Sequence, residues 1–200
     1  MRFKDYMKRS ETTAIYPDRG EYRGLGYCVR GLAGECGEVF EVLKKIYRDD
    51  NSIISEEKRN RLFMEVSDIC WYLAQICNEL QINSPSFSDD LSEFSKELLK
   101  SYSEVRKRQR ESSDLTLLET ISFDIHISIS EIISIYKERG EERIAEEFSG
   151  VVIEVLNHLI SFSVVIGYGI EDVLQANLDK LAARKVANKL QGSGENIEDR

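Results

Sequence analysis

One helical period runs through two successive segments of this chain and carries acidic side chains within it, which narrows the folds open to it. From Gly26 to Tyr47, apolar residues recur at helical spacing as Leu32, Cys36, Val39, Leu43 and Ile46. A second helical run covers Glu56 to Leu80, and the polar turn Asp49-Asp50-Asn51-Ser52 separates the two. Turning about 100° per residue from Glu35 puts Val42 and Ile46 on either side of it. Glu35 is therefore expected to point into the packing surface, with Glu38 at its edge. The second run repeats the pattern: Tyr72 and Ile76 flank Glu65, Ile69, Leu73 and Leu80 continue the stripe, and Asp68 sits at its edge.

A carboxylate that only needs water belongs on the opposite face of such a helix. Two ionised carboxylates about 4 Å apart repel by about 4 kcal/mol at an effective dielectric near 20, and four together repel more. Shared protons or lysines are two ways to relieve this, and Lys44 and Lys45 are near in sequence. The simplest remedy is a divalent cation in all-oxygen coordination, and hard carboxylate ligands select Mg²⁺, with Mn²⁺ as a substitute.

The rest of the chain reads as more helices. Ile82-Asn83-Ser84-Pro85-Ser86 ends the second run, and Ser88 caps a mostly polar third helix to about Arg108. Beyond a loop around Glu111-Ser112-Ser113 come helices near Leu115–Glu138, Glu141–Ile166 and Glu171–Asn188. Gly140 and Gly167 or Gly169 act as breakers, and the tail after Leu190 is too rich in glycine and polar residues to stay helical. With only two prolines and 32% charged residues, the expected class is all-α, a helical bundle.

The net charge of −9 argues against a protein that coats nucleic acid, since such proteins present a basic surface to phosphate. The N-terminus lacks the apolar core of a signal peptide, and the longest apolar stretches are read as falling well short of a membrane span. The cysteines Cys28, Cys36, Cys70 and Cys77 form no Cys-x-x-Cys pair, which favours a reducing, cytoplasmic setting.

Self-comparison suggests a tandem duplication. Glu38 to Lys44 matches Glu131 to Lys137 in apolar register, and Glu65-Val66-Ser67-Asp68 matches Glu154-Val155-Leu156-Asn157. Residues 1–108 would form one copy and 109–200 the other, the two packed as one bundle. Ser128 falls where the first copy has Glu35, and Asn157 falls where it has Asp68.

The string Gly31-Leu32-Ala33-Gly34-Glu35-Cys36-Gly37-Glu38-Val39, followed by Lys44-Lys45 and Arg48-Asp49, resembles the first signature of the MazG-like all-α nucleoside triphosphate pyrophosphohydrolases. Glu65-Val66-Ser67-Asp68-Ile69-Cys70-Trp71-Tyr72-Leu73 resembles that family's Glu-x-x-Asp helix, and Thr13-Ala14-Ile15-Tyr16-Pro17 its lead-in. Asn177-Leu178-Asp179-Lys180-Leu181, Arg184 and Gly192-Ser193-Gly194 resemble its closing segment. One departure stands out: in that family the closing segment follows the Glu-x-x-Asp helix directly, whereas here the second copy intervenes. The two copies then have complementary losses, and the expected arrangement is a fused pseudo-dimer with one working metal site, completed by the closing segment of the second copy.

The resemblance implies Mg²⁺-dependent hydrolysis of a nucleoside triphosphate to monophosphate and pyrophosphate. Glu38, Glu65 and Asp68 would be metal ligands, and Glu35 a ligand or the base for the attacking water. Asn177, Lys180 and Arg184 share one helical face and are candidates to grip phosphate, although basic residues near a helix C-terminus also serve its dipole. Lys44 and Lys45 are weaker candidates for the same role. Tyr72 and Trp71 could stack on a base, against the plainer reading that they are core. His126 and His158 are read as packing or surface residues, and Cys70 and Cys77 as core.

Rival functions are a pyrophosphohydrolase of the same superfamily acting on phosphoribosyl-ATP or a deoxynucleoside triphosphate, a catalytically silent nucleotide-binding or partner-binding module, and a plain structural bundle. No nucleic-acid or membrane partner is expected. The fused pair would stand alone as a monomeric pseudo-dimer or pair again as a homodimer.

Overall fold

The computed structural model describes residues 1–82, 96–102, 112–138 and 144–190. Among them every regular element is helical, as expected. Helix α1 (Phe3–Ser10) leads through a single 3₁₀ turn, Glu11–Thr13, towards two long helices, α2 (Tyr22–Asp49) and α3 (Glu56–Glu79). Residues 96–102 are helical. Three more helices follow: α4 (Ser112–Glu138), α5 (Ile144–Val165) and α6 (Ile170–Val186).

Local chemistry sets the boundaries. The α2–α3 turn passes through Asn51 and Ser52 at φ of 51° and 63°, a region that short polar side chains tolerate best after glycine. Ser55 then caps α3, its Oγ accepting from the Lys58 amide at 3.2 Å, with Glu56 and Glu57 in the first turn to complement the helix dipole. Gly167, at φ 91°, ends α5, and the Asp172 carboxylate accepts from the Gly169 amide at the start of α6.

Helix α2 begins four residues before the apolar run suggested, because Gly24 and Gly26 weaken the helical signal there. Both glycines serve packing. A Cβ on Gly24 would lie 2.2 Å from the Asp18 carbonyl oxygen, and one on Gly26 would lie 2.2 Å from the Tyr136 hydroxyl.

The architecture is two helical hairpins, α2/α3 and α4/α5, packed with α2 against α4 and α3 against α5. Helices α1 and α6 both lie on α3. One hydrophobic cluster runs through the whole bundle, from Phe3 and Tyr6 through Leu32, Leu73 and Ile132 to Phe162 and Leu174, so both halves of the chain share a core.

The expectation that no apolar stretch approaches membrane length needs correcting. Residues Ala145–Val165 are long and apolar enough to cross a bilayer. Their composition has a different source in this fold: α5 packs on α4, α3 and α6, and most of this segment is buried among them. Most of the predicted polar third helix, Gly140 and the tail from residue 191 lie outside the described residues.

Candidate metal centre

The two apolar stripes meet between α2 and α3, and this brings three of the four expected carboxylates together. Ligand oxygens of Glu35, Glu65 and Asp68 all lie within 4.8 Å of one another. Glu38, one turn on from Glu35, stands at the rim with its carboxylate 3.6 Å from the Arg61 guanidinium. Arg61 also lies 3.5 Å from Glu65, so it bridges the two helices.

The opposite wall comes from α6. Lys180 Nζ reaches both oxygens of Asp68, at 2.5 and 2.6 Å, and the Asn177 amide donates to Asp68 Oδ1 at 3.1 Å. Behind it the Tyr6 hydroxyl, fully buried on α1, donates to Asn177 Oδ1 at 2.9 Å. Burial pushes the Tyr6 hydroxyl well above the ordinary tyrosine range, with smaller contributions from Cys70 and Asp68, so it stays protonated and available as a donor.

Charge is poorly balanced here. Four carboxylates face the ion-paired cations Arg61 and Lys180. Burial, and then the charges of Asp68 and Glu65, raise Glu35 to about 8; Lys180 opposes the shift and Glu38 adds to it. Glu65 is raised as well, by burial first and then by Asp68 and Glu38, with Arg61 pulling the other way. A half-buried acidic group in which Glu35 and Glu65 resist ionising is short of positive charge, and oxygen donors at this spacing suit a hard divalent cation.

Two cavities flank the triad and share Glu35, Asp68 and Arg184 in their walls. The larger, about 420 Å³, is polar and includes Arg61, Glu65 and Lys180. The smaller, about 160 Å³, is lined by Tyr16, Tyr27, Trp71 and Tyr72. Tyr16 and Tyr27 stack at 5.0 Å, Trp71 meets Tyr72 edge-on at 5.0 Å, and Trp71 Nε1 donates to the Thr13 hydroxyl. Tyr72 lies across α2 at Gly31, where a Cβ would come within 2.1 Å of the tyrosine ring.

Of the expected site residues, Glu35, Glu65, Asp68, Tyr72, Asn177, Lys180 and Arg184 line or touch this region, and Glu38 reaches it through Arg61. Lys44 and Lys45 do not line either cavity; both are ion-paired with Glu41 on their own helix. His126 packs against Phe40 with its Nδ1 3.7 Å from Cys36 Sγ, and His158 lies 3.9 Å from exposed Glu154; neither lines the two cavities. Cys70 and Cys77 are buried core residues, as expected.

Sequence reasoning missed Arg61 and Tyr6. The four-residue spacing from Arg61 to Glu65 was a usable sign for the first. Tyr6 lies 171 residues from its partner and carried no such sign.

Over 80 residues the chain is 41% identical to the Gene 37 protein of Mycobacterium phage L5, a match that covers 38% of this chain and 70% of that protein. No protein-family model matches the chain, and no solved structure matches it.

Proposed function

The chain belongs to the same family as that phage protein, and we propose that it is a Mg²⁺-dependent nucleoside triphosphate pyrophosphohydrolase, converting a ribo- or deoxyribonucleoside triphosphate and water to the monophosphate and pyrophosphate. The observation that carries the proposal is the inward-facing Glu35–Glu65–Asp68 group, which with Glu38 outnumbers the cations Arg61 and Lys180 paired to it and opens to a cavity with Lys180 and Arg184 in its wall. The MazG-like signatures fall on these same helices.

Glu65 and Asp68, with Glu35 or Glu38, would hold the cation, which when bound neutralises charge on the phosphate oxygens. Lys180 and Arg184 would grip the triphosphate, where charge-assisted hydrogen bonds are strongest. Glu35 is either a ligand or the group that takes the proton from the attacking water; its raised pKa suits the second role near neutral pH. The base would rest against Tyr72 and the neighbouring rings in the smaller cavity. Lys44 and Lys45 take no part in this proposal.

We extend the proposal to ancestry. The α2/α3 and α4/α5 hairpins would be tandem copies, with α6, the closing segment of the second, completing the site of the first. Its contacts from Asn177 and Lys180 to Asp68 support this. Among the described residues the matching second-copy acids Glu131 and Glu154 are exposed, which suits a single working centre. Four buried, unpaired cysteines suit a cytoplasmic setting.

One observation favours a second reading. Lys180 takes both oxygens of Asp68 and Arg61 joins Glu38 to Glu65, so the protein partly neutralises its own site, as a silent nucleotide-binding module would. Incubating the protein with each common ribo- and deoxyribonucleoside triphosphate and Mg²⁺, while following monophosphate and pyrophosphate, separates the two. Release that EDTA abolishes is expected. Binding without release from any nucleotide would leave the silent module.

A further inference from the structure

The N-terminal helix α1 falls outside the acidic signatures, yet it sends one hydroxyl to the back of the site. Tyr6 is fully buried, with its ring 5.8 Å from that of Phe3, and its hydroxyl ends at the Asn177 amide. Asn177 is also fully buried, and its other end meets Asp68. The directions of these bonds depend on one another. An ionised carboxylate only accepts, so the NH₂ of Asn177 must face Asp68 and its carbonyl must face Tyr6. That carbonyl needs a donor, because an unmatched buried acceptor bears the full cost of desolvation. Tyr6 supplies the donor and Phe could not.

We infer that Tyr6 is a positioning residue for Asp68: through Asn177 it fixes the amide orientation that holds the Asp68 carboxylate towards Glu35 and Glu65. This rests on the metal-site reading above. Groups behind a ligand set its aim in this way, and their loss characteristically weakens metal affinity by ~10–100-fold. Helix α1, which clamps α3 and α6 together, is then a working part of the centre as well as a support for the fold.

The test is Mn²⁺ affinity, measured by calorimetry or electron paramagnetic resonance on the full chain without nucleotide. Tyr6→Phe keeps the ring and removes only the oxygen; it should weaken Mn²⁺ binding by about tenfold. Ser10→Ala is the control. It removes another buried hydroxyl of α1, one that accepts from Gln75 on α3 and makes no link to Asp68. It should lower the melting temperature and leave Mn²⁺ affinity unchanged.

In an Asn177→Leu background, Tyr6→Phe should have no further effect on affinity, since the link is already broken. This arm keeps the test open if the single Tyr6 variant folds poorly. Wild-type affinity in Tyr6→Phe, an equal loss in Ser10→Ala, or full additivity with Asn177→Leu would each overturn the inference while leaving the metal centre standing. A wild-type chain that binds no Mn²⁺ would remove both.

Discussion

The hairpins α2/α3 and α4/α5 solve one packing problem with different chemistry at the positions that face inward. In the first, Glu35, Glu65 and Asp68 converge between the helices. In the second, Ser128 is buried and returns its hydroxyl to the Asp124 carbonyl, while Glu131 and Glu154 are exposed. The second pair buries a single acid near the start of α4, Asp114, which accepts from the Tyr102 hydroxyl at 2.7 Å; among the described residues no group of carboxylates converges between its helices, so such a pair closes its core without one. In the first pair, burial and the neighbouring carboxylates raise the pKa values of Glu35 and Glu65, so the ionised forms of these two oppose folding. Groups that burden a fold it could do without call for a functional reason, and that is the lesson of the contrast.

Exchanging charge for its neutral isostere should have the largest effect on this contrast. Asp68→Asn should lower pyrophosphate release by at least ~100-fold, because it removes a ligand as well as the anchor of Lys180 and Asn177. Asn157→Asp in the second hairpin should add no activity, since Asn157 is exposed and an added carboxylate there would face solvent. Near-normal turnover by the Asp68 variant would break the comparison at its strongest point.

The next effect is on pH dependence without divalent ions. The Glu35 carboxyl titrates near its ordinary 4.5 in the unfolded chain and at about 8 in the folded one. Between those values the folded state holds the extra proton, so stability falls as pH rises and levels off above about 8. Thermal melts in EDTA should show this decline, and Glu35→Gln should shrink it to the share that Glu65 contributes. Mg²⁺ should stabilise the wild-type chain more at pH 8 than at pH 5, because the ionised group is the one it binds. A flat profile in the wild-type protein would mean that Glu35 is not the strained group described here.

How much of this was legible in the sequence depended on range. Helix class, the break at Gly167 and the inward aim of Glu35 and Glu65 are local matters, and the residues displayed them; the Ser55 cap was passed over, and the Ser88 cap lies outside the described residues. The grouping of Asn177, Lys180 and Arg184 on one face was legible too. Their meeting with Asp68 rested on a family resemblance, because contacts across more than a hundred residues leave no period behind. Tyr6 shows the limit: α1 is too short to declare itself by periodicity, and its function depends on a partner at the other end of the chain. The apolar length of Ala145–Val165 misled in the other direction, since a helix packed on several sides needs no polar face.

A smaller effect, of opposite sign, should come from Lys180→Met. The ammonium occupies both oxygens of Asp68, and a like charge a few ångströms away repels an incoming cation by a few kcal/mol at an effective dielectric near 20. Removing it should tighten Mn²⁺ binding by about tenfold, after allowing for solvent relaxation, and weaken binding of inorganic pyrophosphate. A plain structural role for Lys180 predicts the reverse for the metal, since losing a strut would loosen Asp68.

The smallest expected effect concerns the outer face of α2. Gly34 and Gly37 lie in the middle of the helix on either side of Glu35, and a Cβ at either would meet nothing within 4 Å. Neither glycine has a positive φ or a close neighbour that forbids a side chain, so an L side chain suits the helix itself. Alanine at either glycine should stabilise the chain by about 1 kcal/mol, the usual difference in helix propensity. The activity of the same variants then sharpens the contrast between hairpins. If the glycines are there to let a phosphate chain pass close to Glu35 and Glu38, Gly34→Ala and Gly37→Ala should melt higher and turn over more slowly. If both stability and turnover rise, the substrate approaches from the α6 side alone, and the glycines serve neither fold nor site.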